Sequence, residues 1–257
     1  MTTTPLSLPD LGTVEVTTTD QGTGRPVLLL HGGAGPQSVS AFADRLAAEQ
    51  GVRVLTPTHP GFAGTPRPEG LRTIAALASV YAALLEALDL TDVVVVGNSI
   101  GGWTAAELAL LHSPRVGALV LVDAVGIDVP GHPVADFFAL SFPELAQLSY
   151  ADPDRFRIDP AALPPAAQAA MAGNRATLAA YTADGMTDPT LLPRLGSIDV
   201  PTVVVWGEAD GIVDATVGRA YADAVPGARF ELLTGTGHLP QLESPDRLIA
   251  VIADTLG

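Results

Sequence analysis

Ser99 stands in Gly97-Asn98-Ser99-Ile100-Gly101, between the apolar run Val93–Val96 and a helix-like stretch, Trp103–Leu111. A serine flanked by glycines can occupy a strained turn from strand to helix. The small neighbours let the two backbones approach, so the hydroxyl projects into a cleft. A serine hydroxyl is a poor nucleophile until a base takes its proton. The chain offers five histidines, His31, His59, His112, His132 and His238. His238 closes Thr234-Gly235-Thr236-Gly237-His238, just past the apolar run Phe230–Leu233. His112 falls near the end of the helix behind Ser99 and reads as a capping or surface residue. His132 reads as a surface residue, with pocket lining as the alternative.

An imidazole base needs an acid to fix its tautomer and stabilise its cation. Asp210, in Trp206-Gly207-Glu208-Ala209-Asp210, leaves the run Thr202–Trp206 and is the favoured acid. Glu208, Asp214 and Asp123 compete, and Asp123 also ends an apolar run. A spare carboxylate there commonly caps a helix instead. Attack on a carbonyl also puts charge on its oxygen, which fixed donors must meet. The backbone N–H of Ile100 supplies one donor. The second is expected from His31-Gly32-Gly33-Ala34-Gly35-Pro36, at Gly33, with Ala34 next. His31 itself reads as a structural hydrogen-bonder.

Elements that could position these groups alternate along the chain. Val27–Leu30, Val52–Leu55, Val93–Val96, Ala118–Val122, Thr202–Trp206 and Phe230–Leu233 are short and mostly continuously apolar. That is the pattern of strands buried on both faces of a parallel sheet. Thr13–Thr17 with the turn Gln21-Gly22-Thr23-Gly24 predicts an antiparallel hairpin at the sheet edge. Between the runs, Ile74, Leu77, Ala78, Tyr81, Leu84, Leu85 and Leu88 form one helical stripe. Ser244-Pro245 predicts the N-cap and first residue of a final helix. The alternation predicts a doubly wound α/β sheet, with ligands outside the carboxyl ends of its strands.

From Gly126 to Leu195 there is no good strand, and four of the seven phenylalanines lie there. The expected organisation is a core of residues 1–125 and 196–257 with a helical cap inserted at 126–195. Phe137, Phe138 and Phe142, with Leu239, are the expected substrate-binding residues. Tyr150, Tyr181 and Met171 could join them, or all could form the cap's own core. Arg155, Arg157 and Arg175 read as solvated, with carboxylate binding as the alternative.

Composition excludes several chemistries. The 257 residues contain no Cys, and all 13 basic residues are Arg. Disulfides, thiolate metal sites and cysteine nucleophiles are absent, as are Schiff-base and P-loop lysines. A net charge of −15 repels phosphate backbones and anionic lipid surfaces. No nucleic acid, membrane, metal or cofactor is therefore expected as partner. The N-terminus lacks a basic start and a long apolar run, so a cytoplasmic protein acting on a small molecule is expected. The oligomeric state stays open, a homodimer among the options.

His31–Pro36, His59-Pro60-Gly61-Phe62-Ala63-Gly64, Gly97–Gly101, Trp206–Asp210 and Gly237-His238, in this order, resemble the α/β-hydrolase superfamily over nearly the whole chain. That resemblance implies an α/β-hydrolase fold. It also implies the chain order serine, acid, histidine, which selects His238, the only histidine after Thr202–Trp206. It further implies an esterase-like acyl transfer through Ser99, His238 and Asp210. The Asn98–Gly102 run and the His-Gly-Gly loop are similar to meta-cleavage product hydrolases, which split carbon–carbon bonds. That group usually carries Trp after the catalytic His, where this chain has Leu239. A non-catalytic binding protein on the same fold is the remaining alternative.

Overall fold

The computed structural model describes residues 1–183 and 185–257. Position 184, inside the expected cap, lies outside the described residues. Eight strands form one sheet: β1 (Thr2–Leu8), β2 (Gly12–Gln21), β3 (Pro26–Leu30), β4 (Arg53–Pro57), β5 (Val93–Asn98), β6 (Val116–Val122), β7 (Thr202–Gly207) and β8 (Arg229–Leu233). Their spatial order is β1-β2-β4-β3-β5-β6-β7-β8. All pairs from β4 to β8 are parallel, and β1 and β2 form the antiparallel edge.

The continuous apolar runs follow from burial on both faces. Leu28, Leu30, Val93, Val95, Leu119 and Leu121 point to one core. That core is covered by α2 (Ile74–Ala87), α3 (Ile100–Leu110) and α8 (Ala215–Ala224). Val27, Leu29, Val94, Val96, Ala118 and Val120 point to the other core. It is covered by α1 (Gln37–Gln50) and α10 (Pro245–Leu256). From β3 the chain runs to β4 on one side, then crosses to β5 on the other. The strand order therefore reverses at β3/β5, which opens a crevice at their carboxyl ends.

Between β6 and β7 lie α4 (Phe142–Ser149), α5 (Pro153–Phe156), α6 (Pro165–Tyr181) and α7 (Leu191–Arg194). A capping box between Ser141 and Glu144 starts α4. This insert is fastened to the sheet layer by polar groups. Arg194 binds Glu107 of α3 through two bonds of 2.8 and 2.7 Å. The Tyr181 hydroxyl donates to the Pro60 carbonyl at 2.9 Å. Short α9 (Pro240–Glu243) precedes α10. No described helix is long and apolar enough to cross a membrane.

Two local expectations differ from the structure. The edge hairpin exists, but its turn lies at Pro9–Leu11 and its first strand is Thr2–Leu8. That strand buries only Leu6, so its sequence carries almost no apolar signal. The Gln21–Gly24 turn instead leads β2 into β3, which pairs with β4 and β5. Ser244 and Pro245 do stand at the N-cap and first position of α10, but the Ser244 hydroxyl makes no capping bond; it hydrogen-bonds the Thr236 hydroxyl at 2.6 Å.

Candidate active site

Ser99 occupies φ 58°, ψ −119° between β5 and α3, a conformation costly for any residue with a side chain. Two backbone bonds hold it there. Ser99 N–H donates to Val122 O at 2.9 Å, and Trp103 N–H to Ser99 O at 3.1 Å. The flanking glycines are dictated by space. A Cβ at Gly97 would stand 2.1 Å from Gly101 O, and one at Gly101 would stand 2.3 Å from Leu30 O. The hydroxyl thus sits at the carboxyl end of β5, beside the positive end of α3.

The loops after β7 and β8 bring an acid and an imidazole together. Asp210 Oδ2 accepts from His238 Nδ1 at 2.7 Å, and both side chains are buried. Asp210 Oδ1 accepts from Ile212 N–H at 2.8 Å and Val213 N–H at 3.1 Å, which fixes the carboxylate. A proton on Nδ1 leaves Nε2 as the basic nitrogen. The histidine's backbone is fixed from two sides. His238 N–H donates to Ser149 O at 2.8 Å, and Asn98 Nδ2 donates to His238 O at 3.0 Å. Glu243 accepts from Gly237 N–H at 2.6 Å. Ser99 and His238 line the same cavity, of about 60 Å³, with no hydrogen bond to the Ser99 hydroxyl among the described residues.

The loop after β3 lies against this elbow. A Cβ at Gly32 would meet Ser99 Cβ at 3.1 Å, and one at Gly33 would meet Leu178 Cδ2 at 2.9 Å. Gly33, Ala34 and Ile100 line the cavity with Ser99. Two histidines in ring contact brace the loop from behind, their centroids 3.8 Å apart and their planes tilted by 39°. His59 N–H donates to His31 Nε2 at 3.1 Å, so the His31 proton is on Nδ1, facing Gly32 O at 2.8 Å. His59 Nε2 donates to His31 O at 2.8 Å, and Tyr81 Oη hydrogen-bonds His59 Nδ1. Burial, then the neighbouring His59, pushes the His31 imidazole well below its usual range. Burial lowers His59 to about 4. Both rings are therefore neutral near neutral pH.

Donor atoms of Asp123, Asp210 and His238 lie within 4.8 Å of one another, a spacing a cation could use. All but one of their oxygens already accept an N–H: Asp123 Oδ1 takes Gly207 N–H at 2.7 Å, leaving only Asp123 Oδ2. The cluster is a hydrogen-bonded network, not a cation cage.

A second cavity, about 310 Å³, shares Gly33, Ala34, Phe137, Ser149 and Leu239 with the first. Its wall is mainly apolar, and Arg175 is its only charged residue among those described. Phe142, Tyr150 and Met171 line it, whereas Phe138 lines neither cavity. Phe138 stays 38% exposed, its ring edge-on to Phe137 at 5.6 Å. Tyr181 is drawn into the core by its bond to Pro60. Leu145, Ile158 and Leu242 join the wall without any sequence motif to mark them. Arg155 lies over Phe156, and Arg157 pairs with Asp154 at 3.2 Å on the surface. His112 is half exposed, 3.8 Å from Asp199, and His132 binds Asp214 at 2.6 Å, so neither line the cavities.

Residues 27–251 match the model of the alpha/beta hydrolase family. A 2-hydroxymuconate semialdehyde hydrolase from Pseudomonas putida is 30% identical over 92% of this chain and 89% of its own. A 2-hydroxy-6-oxo-6-(2'-aminophenyl)hexa-2,4-dienoic acid hydrolase from Metapseudomonas resinovorans is 28% identical over 91% of this chain and 85% of its own. Among solved structures, a thermophilic esterase from Thermogutta terrifontis superimposes with a TM-score of 0.80 at 28% identity. The match covers 100% of this chain and 98% of the esterase.

Proposed function

The chain belongs to the alpha/beta hydrolase family, and from that premise we propose that it is a serine hydrolase cleaving an ester or similar acyl bond of a small, largely apolar molecule. The observation that carries this reading is the 2.7 Å Asp210–His238 bond on a cavity wall shared with Ser99. His238 Nε2 takes the Ser99 proton as Oγ attacks the carbonyl carbon. The N–H groups of Ile100 and Gly33 receive the oxyanion, and the loss of such a donor typically costs about a hundred- to a thousandfold in rate. His238 then protonates the leaving group as its bond to the acyl carbon breaks. Water, deprotonated by the same imidazole, releases the acid and restores the serine. The apolar second cavity accommodates the bulk of the substrate, and the helical insert at 126–195 acts as the cap over it.

Labelling by a fluorophosphonate tests the reading. Ser99 is expected to be modified and short p-nitrophenyl esters to be hydrolysed. Both are expected to vanish in Ser99→Ala, and labelling to be strongly reduced in His238→Ala. Labelling at another serine would sink the assignment. Arg175 on the larger cavity supports a second reading, carbon–carbon bond hydrolysis of an anionic dienoate by the same triad. Two similar proteins are named as hydrolases of a hydroxymuconate semialdehyde and of a hydroxy-oxo-hexadienoic acid. Turnover of a ring-fission dienoate in preference to esters would decide for it. Arg175 already donates to Phe138 O at 2.9 Å and Leu140 O at 3.1 Å, which occupies one of its nitrogens and leaves the ester reading ahead.

A further inference from the structure

Asp123 directly follows β6 beside the acid loop and has no part in the mechanism above. Its backbone is left-handed, φ 46°, which few residue types other than glycine and Asp or Asn tolerate. Its side chain is fully buried. Oδ1 accepts from Gly207 N–H at 2.7 Å, whereas Oδ2 has no partner among the described N–H and O–H donors. The charged groups acting on it are Asp210 and then Glu243, both acidic, and the His238 imidazole completes the cluster.

A second anion here would face Asp210 without a cation, in a water-poor site. Asp210 has a matching need. A carboxylate offers about four acceptor sites. Three of Asp210's are taken, by Ile212 N–H, Val213 N–H and His238 Nδ1.

We propose that Asp123 is a positioning residue of the relay, a neutral carboxylic acid whose O–H donates to Asp210 and completes its set of donors. The proton stays on Asp123 throughout the cycle, so Asp210 remains the single anion behind His238. Burial first and Asp210 second raise the Asp123 carboxyl well above the usual carboxylate range, as that role requires. The arrangement locks β6, through Asp123, to β7, through Gly207, at the point where the acid loop departs. This role rests on the proposed triad, but the carboxyl's protonation does not depend on turnover.

Asp123→Asn and Asp123→Ala test it in the full chain. The infrared difference between the parent and Asp123→Asn at neutral pH is expected to show a protonated-carboxyl stretch only in the parent. A group protonated in the folded state and ionised in the unfolded one destabilises the fold increasingly as pH rises above the ordinary value of 3.8. The melting midpoint of Asp123→Asn is therefore expected to exceed the parent's by a margin that grows from about pH 5 to 8. Asp123→Ala is expected to lose about tenfold in kcat with KM little changed, because Asp210 and Gly207 each lose a partner. Asp123→Asn, whose amide still donates, recovers most of that loss and leaves the acid limb of kcat/KM in place. No carboxyl band, or an acid limb lowered by about a unit in Asp123→Asn, overturns the proposal, since either means that an anion was removed. If the chain proves not to hydrolyse acyl substrates, the infrared and melting results still decide the protonation, and only the relay role falls.

Discussion

His238 and the His31–His59 pair both stand in loops around Ser99, and both are buried and fixed through their ring nitrogens. Their partners differ in kind. His238 faces a carboxylate at 2.7 Å and lines the cavity. His31 and His59 face backbone carbonyls, each other and the Tyr81 hydroxyl, with no anion among their bonds. An imidazole backed by a carboxylate can accept a proton without stranding a buried charge. One surrounded by dipoles is held neutral and serves as a rigid brace. The first arrangement suits proton transfer. The second keeps the loop carrying Gly33 in one conformation.

The largest expected effect falls on the first histidine. His238→Ala is expected to lower kcat on the order of 10⁴- to 10⁶-fold under the proposed mechanism, as when the base of a serine protease triad is removed. Its urea midpoint should change little. Asp210→Asn comes next, at about 10⁴-fold, because the amide favours the wrong tautomer. Stopped-flow ester hydrolysis with urea titration of each variant measures both quantities. A His238 or Asp210 variant that unfolds while retaining its rate per folded molecule would erase the distinction between the two histidine sites.

The second site should respond in the opposite sense. His59→Ala strands the His31 carbonyl and Tyr81 hydroxyl and opens a cavity, costing about 3 kcal/mol of stability. The parent's own pH dependence sharpens the point. The folded His59 value, about 4, lies below the unfolded 6.5. Between these values the unfolded chain binds a proton that the folded chain refuses, so stability is lost as pH falls through that window. The loss from this residue is about 3 kcal/mol. Urea titrations at several pH values across the window should show the slope in the parent and its reduction in His59→Gln. A pH-independent midpoint would mean that the pair is not held neutral.

The same contrast explains what the sequence revealed. Ser99, Asp210 and His238 each lie within five residues of the end of a strand, so strand reading alone puts them at one sheet edge. The parallel strands were legible because burial on both faces makes them continuously apolar. The brace was not. His31 and His59 are 28 residues apart in two loops, and nothing local to either announces a partner in the other. Asp123 was visible as a rival acid, since it directly follows β6, but its place beside Asp210 depends on strands β6 and β7 pairing across the whole insert. Phe138 looked equivalent to Phe137 and Phe142. The irregular chain between Val129 and α4 has no period, so composition could not say which ring turns inward.

Tyr81→Phe is the mildest way to probe the brace. Tyr81 lies on α2, fully buried, and its hydroxyl meets His59 Nδ1. With the His59 proton committed to Nε2 by the His31 carbonyl, the phenol must donate and Nδ1 accept. Phenylalanine keeps the ring and its packing but leaves that nitrogen without a donor. The expected cost is about 1–2 kcal/mol, read as a lower urea midpoint at neutral pH. The rate should stay within about threefold of the parent, because the loop bearing Gly33 remains held by the His59 N–H and Nε2 bonds, together worth more than the lost one. A hundredfold loss of kcat at unchanged stability would show the opposite. It would make Tyr81 and His59 part of the proton path, and the two histidine sites would then share one function.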